Sequence, residues 1–184
     1  YAKNAGAIGV LIGLIAAGDA VSFSFGGGTL PLPPTLVIQQ SLSTAIKAQL
    51  ALGVVNVSFS PASAIPLVGS MASTSSRGPS ISGQSIKPEI GAPGGSVSAE
   101  AGTGTGETAF SGTSGASPMV AGAAALMRQA YPNRSPEKIK AMLMNSAETA
   151  VFTNPAVLPG ELAPITRIGA GELRVNRAIA QTAI

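Results

Sequence analysis

Ser111-Gly112-Thr113-Ser114-Gly115-Ala116-Ser117-Pro118 runs without a break into Met119-Val120-Ala121-Gly122-Ala123-Ala124-Ala125-Leu126. The second run is apolar nearly all round, so the spacing predicts a buried, central helix over 114–130. The first run puts hydroxyls in the opening turn of that helix. There, N–H groups without intrahelical acceptors and the helix field favour developing negative charge. Small flanking residues leave room for another chain to approach, which is what a nucleophile facing a scissile carbonyl needs. A plainer reading also stands: Thr113 or Ser114 only caps a helix.

Downstream, Ser135 followed by Pro136 makes a good helix start, an N-cap hydroxyl and then a proline whose missing N–H costs nothing. The helix expected over 136–147 puts Ile139, Met142 and Leu143 on one side. A loop is expected over 154–171 and a last short helix from about 175. Upstream, residues 67–113 are rich in Ser, Gly and Pro, with short strand candidates at 87–91 and 95–99 and a strand-like Thr108-Ala109-Phe110.

The texture differs before residue 60. AKNAGAIGVLI (2–12) reads as a last helical turn leading through Gly6 into a short buried strand. VSFSF (21–25) alternates like a half-buried strand inside a Gly- and Pro-rich stretch. LVIQQ reads as a strand, and Ser41 as the N-cap of a helix whose Leu42, Ala45, Ile46 and Leu50 form one buried face, stopped at Gly53. VVNVSFS (54–60) alternates as a further strand. Two domains are therefore expected, 1–60 and 61–184, of α/β class, with loops of small residues feeding a buried helix beside a parallel sheet covered on both faces.

Composition narrows the chemistry. The chain has 184 residues, 45% of them hydrophobic and 10% charged, which is enough to bury a core and too apolar for a disordered tail. No Cys and no His are present, so thiolate and imidazole metal sites, thiol catalysis and a complete Ser-His-Asp triad within these residues are excluded. A net charge of +3 with no basic run and no Trp argues against nucleic acid. The apolar stretch 5–18, ended by Asp19, is shorter than the roughly 20 residues a bilayer requires. Tyr1 is not an initiator residue, and the expectation is a processed or excised piece.

Lesser motifs resolve quickly. Ser135-Pro136-Glu137-Lys138 has the S-x-x-K spacing of Ser/Lys acyl enzymes, but its Ser is already accounted for as a cap. Gly102-Thr103-Gly104-Thr105-Gly106 has the glycines of a phosphate loop without the Lys. The eight carboxylates occur singly in sequence, marking neither a calcium loop nor a glycosidase pair. Asn56-Val57-Ser58 and Asn133-Arg134-Ser135 match the glycosylation pattern.

Several ordered motifs together carry a resemblance. They are Ser75-Ser76-Arg77-Gly78-Pro79, Lys87-Pro88-Glu89-Ile90-Gly91-Ala92-Pro93-Gly94, Gly112 to Pro118, Val120 to Leu126, Ser135-Pro136-Glu137, Leu143 to Ala147, Gly169-Ala170-Gly171 and Val175-Asn176. This set resembles the C-terminal part of a subtilisin-like serine protease. The resemblance implies Ser114 as the catalytic nucleophile, with Gly112, Thr113, Ala116 and Pro118 as the motif supporting it. The chain departs from the usual pattern at Gly115, where Met is usual, and at Met119, where His is frequent; that His is not the triad base.

Residues 1–60 resemble, less specifically, the later part of a protease-associated insert domain, through Lys3, Ala5-Gly6-Ala7, Val10-Leu11-Ile12, Pro33-Pro34 and Leu36-Val37-Ile38. The implied fold is the C-terminal portion of a subtilisin-like three-layer parallel-sheet domain, preceded by part of a mixed α+β insert. In such enzymes the triad Asp, the triad His and the oxyanion Asn precede the insert, so these 184 residues would hold one third of a triad and be inert alone. The resemblance also implies a polypeptide substrate, an N-terminal half as partner, and an extracytoplasmic location. Ca²⁺ sites are common in the family, but no residue here is assigned to one. The competing reading is an inert peptide-binding or structural piece, a pseudoprotease. A third, a serine hydrolase using Lys87 or another local base, requires a lysine near Ser114 with a lowered pKa.

Overall fold

A computed structural model describes residues 1–18, 20, 33–60, 62, 65–83 and 85–181. The VSFSF stretch and Asp19 lie outside the described residues. The chain divides into two compact units, Tyr1–Ala64 and Ile65–Ile184.

In the first unit a 3-10 turn over Lys3–Ala5 ends at Gly6 in the left-handed region. Strand β1 (Val10–Gly13) pairs in parallel with β2 (Thr35–Ile38), from Val10 opposite Thr35 to Gly13 opposite Ile38. β1 is half-buried rather than buried. Helix α1 (Gln40–Leu50) packs on β1. Three further expectations fail here. The N-cap is Gln39, with no side-chain cap, not Ser41. The buried contact of α1 is Ser43, seated against Gly13, while Leu42 and Leu50 are exposed. The helix meets its strand through small residues because Gly13 allows close approach, and of the expected apolar face only Ile46 is partly buried. VVNVSFS forms no strand, and Val54, Val57 and Phe59 are exposed; alternation alone cannot make a strand where no described edge pairs with it.

The second unit holds the hairpin β3 (Gly95–Ala99) and β4 (Glu107–Ser111), antiparallel from Gly95–Ser111 to Ala99–Glu107. Among the described residues four helices follow: α2 (Thr113–Ala130), α3 (Pro136–Asn145), the short α4 (Ile165–Ile168) and α5 (Val175–Ala180). Ser135 caps α3 as its sequence requires, its hydroxyl accepting from the Lys138 N–H, with Pro136 in the first turn. Ala123 and Met127 of α2, Ile139, Met142 and Leu143 of α3, and Ala178 of α5 form the main core. Met127 and Met142 are fully buried, each contributing about 1.5–3 kcal/mol of burial. Met71, Val151 and Ile168 form a second cluster.

Three further readings are corrected. Helix α2 is not buried all round: Gly115, Ala123 and Met127 are buried on one strip, while Ala121, Gly122, Ala125 and Leu126 are exposed. The expected strand at 87–91 reduces to a single parallel bridge, Gly91 to Glu172. The expected loop at 154–171 contains a short helix, α4 (Ile165–Ile168), opened by Pro164, which turns Ile168 into the second cluster. The parallel pairing described in this unit is confined to that bridge and one between Ser70 and Phe152.

Candidate functional site

Gly112 joins β4 to α2 with φ +82° and ψ −174°, a conformation that strains any side chain and explains the glycine. Its N–H donates to the Gly94 carbonyl at 2.6 Å, tying the turn to the start of β3. Its own carbonyl accepts from the N–H groups of Gly115 and Ala116, at 3.0 and 3.2 Å. The N–H groups of Thr113 and Ser114 precede any intrahelical acceptor. Ser114 is thus the second residue of α2, and both it and Thr113 are exposed.

Close packing holds that turn. Gly115 is buried against the hairpin, where a Cβ would lie 3.4 Å from Phe110 Cδ1 and 3.7 Å from Ser96 Oγ. Ser96 Oγ donates to the Phe110 carbonyl at 3.1 Å, fixing the hairpin floor. Pro118 lies inside α2 and has no N–H, so the Ser114 carbonyl lacks the donor that a helix normally supplies four residues on. Gly112, Thr113, Ser114, Ala116 and Pro118 therefore occupy the strand-to-helix turn and the first turn and a half of one helix.

The turn is anchored at a distance by the segment 87–94. Ala170 N–H donates to the Glu89 carbonyl at 2.9 Å, Gly91 N–H to the Gly171 carbonyl at 2.8 Å, and Leu173 N–H to the Gly91 carbonyl at 2.8 Å. Gly94 then receives the Gly112 N–H. The C-terminal segment and the nucleophile turn are thereby joined through one backbone strap. Gly169 permits this: with φ +65° and ψ −131°, a Cβ there would lie 2.3 Å from the Glu89 carbonyl carbon.

Charged groups reinforce the strap. Lys140 and Lys87 both hydrogen-bond the Glu89 carboxylate, Lys140 at 2.6 Å, and hold it at about 2, well below the usual carboxylate range. Glu148 and Glu172 are paired residues of an antiparallel bridge. Arg177 reaches Glu148 at 2.9 Å and Arg174 reaches Glu172 at 2.7 Å. The Ala150 N–H, and then Arg177, lower the Glu148 carboxyl. Acids that stand singly in sequence are thus clustered in space with cations. The legible signal is Lys87-Pro88-Glu89 itself, since residues two apart on an extended chain share a side. Among the described residues no three Asp, Glu, His or Cys side chains gather as a metal site.

A family model described as the subtilase family matches residues 9–171. The chain belongs to the subtilase family. Among relatives, it is 34% identical over 183 residues to the minor extracellular protease Vpr of Bacillus subtilis (strain 168), covering 97% of this chain and 22% of that protein. Against subtilisin-like protease SBT3.16 of Arabidopsis thaliana, identity is 34% over 169 residues, covering 86% of this chain and 20% of that protein. This subtilase chain spans about a fifth of the length of those two relatives. The α/β class expected from the sequence is the class of the family. Within the subtilase chain, Lys87 is engaged with Glu89, so the Ser/Lys alternative has no support from that lysine. Among the described residues no helix is long and apolar enough to cross a membrane.

Proposed function

We propose that residues 61–184 are the nucleophile-bearing, C-terminal part of a serine endopeptidase domain, with Ser114 as nucleophile. The observation that carries this reading is an exposed Ser114 in the first turn of α2, behind a glycine of positive φ. A hydroxyl there stands clear of the helix with unsatisfied N–H groups beside it. The triad His, the triad Asp and the oxyanion Asn lie outside these 184 residues, which contain no His.

The chemistry follows from that division. Ser114 Oγ attacks the scissile carbonyl carbon while the imidazole takes its proton. The oxyanion formed accepts the Ser114 N–H and the Asn side chain. Collapse expels the amine, protonated by the imidazolium, and leaves an acyl ester on Ser114 that water then hydrolyses. The substrate is an extended polypeptide. The exposed small-residue side of α2, Ala121, Gly122 and Ala125, is where the remaining layers of a three-layer domain pack. Residues 1–60 belong to a protease-associated insert; support comes from a separate compact unit mixing parallel strands with a helix. The Bacillus relative is an extracellular protease by name, which supports an extracytoplasmic location.

The test pairs intact mass under denaturing conditions with labelling by a fluorophosphonate. A preparation that holds a heavier species or a second chain carrying Asp and His should label on Ser114, and Ser114→Ala should abolish both labelling and peptide hydrolysis. Failure of the complete protein to label at Ser114 assigns it to the inert reading, a pseudoprotease that binds peptides.

A further inference from the structure

Four basic side chains of the second unit are ion-paired at close range: Lys87 and Lys140 share Glu89, Arg174 pairs with Glu172 and Arg177 with Glu148. The turn between α2 and α3 is different. Arg134 and Lys138 line a shallow concavity of about 470 Å³ together with Tyr131, Pro132 and Asn133. Arg128 reaches its rim, where its Nη1 donates to the Arg134 carbonyl at 2.5 Å. Among the described residues none of these three cations forms an ion pair.

Their placement is nonetheless fixed. The Arg134 guanidinium carbon lies 5.7 Å from the centroid of the Tyr131 ring, a cation–π distance. The ring is itself held, because the Tyr131 hydroxyl donates to the Ile179 carbonyl at 2.5 Å. A carbonyl and an aromatic face therefore orient the two guanidinium groups. Neutral partners position a cation without cancelling its charge, whereas a carboxylate does both. Glu137 is the one acid between residues 128 and 140. Its carboxylate is hydrogen-bonded to Ser135, which holds it below the usual range, and it pairs with none of the three.

We propose that this turn binds an oxyanion of the phosphate class. Guanidinium forks and an ammonium point charge together suit a tetrahedral, multiply charged group. Three uncancelled positive charges exceed what a single carboxylate neutralises. The proposal does not depend on the protease reading, since it uses no residue of the Ser114 turn.

The experiment is a titration of the 184-residue chain with inorganic phosphate and pyrophosphate, read by NMR at the arginine Nε–H signals. Vesicles containing phosphatidic acid, set against phosphatidylcholine alone, distinguish a lipid headgroup from a free phosphate as the source. Saturable shifts at Arg128 and Arg134 are expected. Affinity should fall roughly tenfold for each cation removed in Arg134→Gln and Lys138→Gln, and stay unchanged in Lys47→Gln of the other unit. Unaltered backbone amide spectra show that the variants remain folded; if Arg134→Gln does not, the exposed Lys138→Gln alone decides. No saturable shift at millimolar phosphate, or equal affinity in the variants, overturns the proposal. So does a poly-glutamate peptide that binds more tightly than pyrophosphate, which assigns the turn to an acidic protein instead.

Discussion

Gly169→Ala should be strongly destabilising, because it drives a methyl group into the backbone strap that anchors the Ser114 turn. The backbone at Gly169, φ +65° and ψ −131°, falls in a region that is nearly glycine-only, and forcing a side chain there costs about 1–3 kcal/mol. The new Cβ would also stand 2.3 Å from the Glu89 carbonyl carbon and 2.5 Å from the Pro88 carbonyl oxygen. Carbon atoms rest at about 3.5–4.0 Å, so the strap must retreat by more than ~1 Å. Both obstacles are backbone atoms, so no side-chain rotation relieves them. The retreat breaks the Ala170 N–H to Glu89 bond of 2.9 Å, a further loss of about 1 kcal/mol. Together these give a destabilisation of about 3 kcal/mol. Urea titration followed by Tyr131 fluorescence, in a Tyr1→Phe background, measures it. Amide hydrogen exchange at Ala170 and Gly112 locates it, because the Gly112 amide is fixed through Gly94 of the same strap. A midpoint within ~0.5 kcal/mol of the parent, an ordinary surface effect, would refute the reasoning, as would unchanged protection at both amides.

Two other perturbations test the same structure. Glu89 is held at about 2 by Lys140 and Lys87, so its contribution is complete above its unfolded value near 4.5 and is lost as pH falls from there through about 2. Because the lysines are half exposed, solvent screening limits that contribution to about 1 kcal/mol. Denaturation midpoints should show Glu89→Gln less stable than the parent at neutral pH and nearly equal to it near the acid end of that window; a constant gap at every pH rejects the assignment. Gly122→Ala acts in the opposite direction. It lies inside α2, and the added methyl would meet nothing within 4 Å, so the 184-residue chain should gain roughly 0.5–1 kcal/mol from helix propensity, visible as a raised thermal midpoint.

The amino-acid sequence by itself determined what depends on near neighbours. Ser135 and Pro136 start α3 because a cap is formed within four residues, and Ile139, Met142 and Leu143 share a face because the helical period puts them there. The Gly112 turn leading into Thr113 and Ser114 of α2 is legible for the same reason, as is the family, since its motifs lie in order along the chain. Tertiary structure decided everything that depends on distant segments. Alternation marks VVNVSFS as a strand, yet a strand exists only where another edge supplies its hydrogen bonds. Apolar spacing marks Leu42 and Leu50 for burial, but the contact between α1 and β1 goes to Ser43 and Gly13 because only small residues fit that approach. The apolar run of α2 reads as buried all round, although burial requires partners on every side and the described residues cover one strip. Carboxylates isolated in sequence gather with lysines and arginines only after strap, helix and C-terminal segment are brought together, since charge pairing acts through space over a few ångströms regardless of chain order.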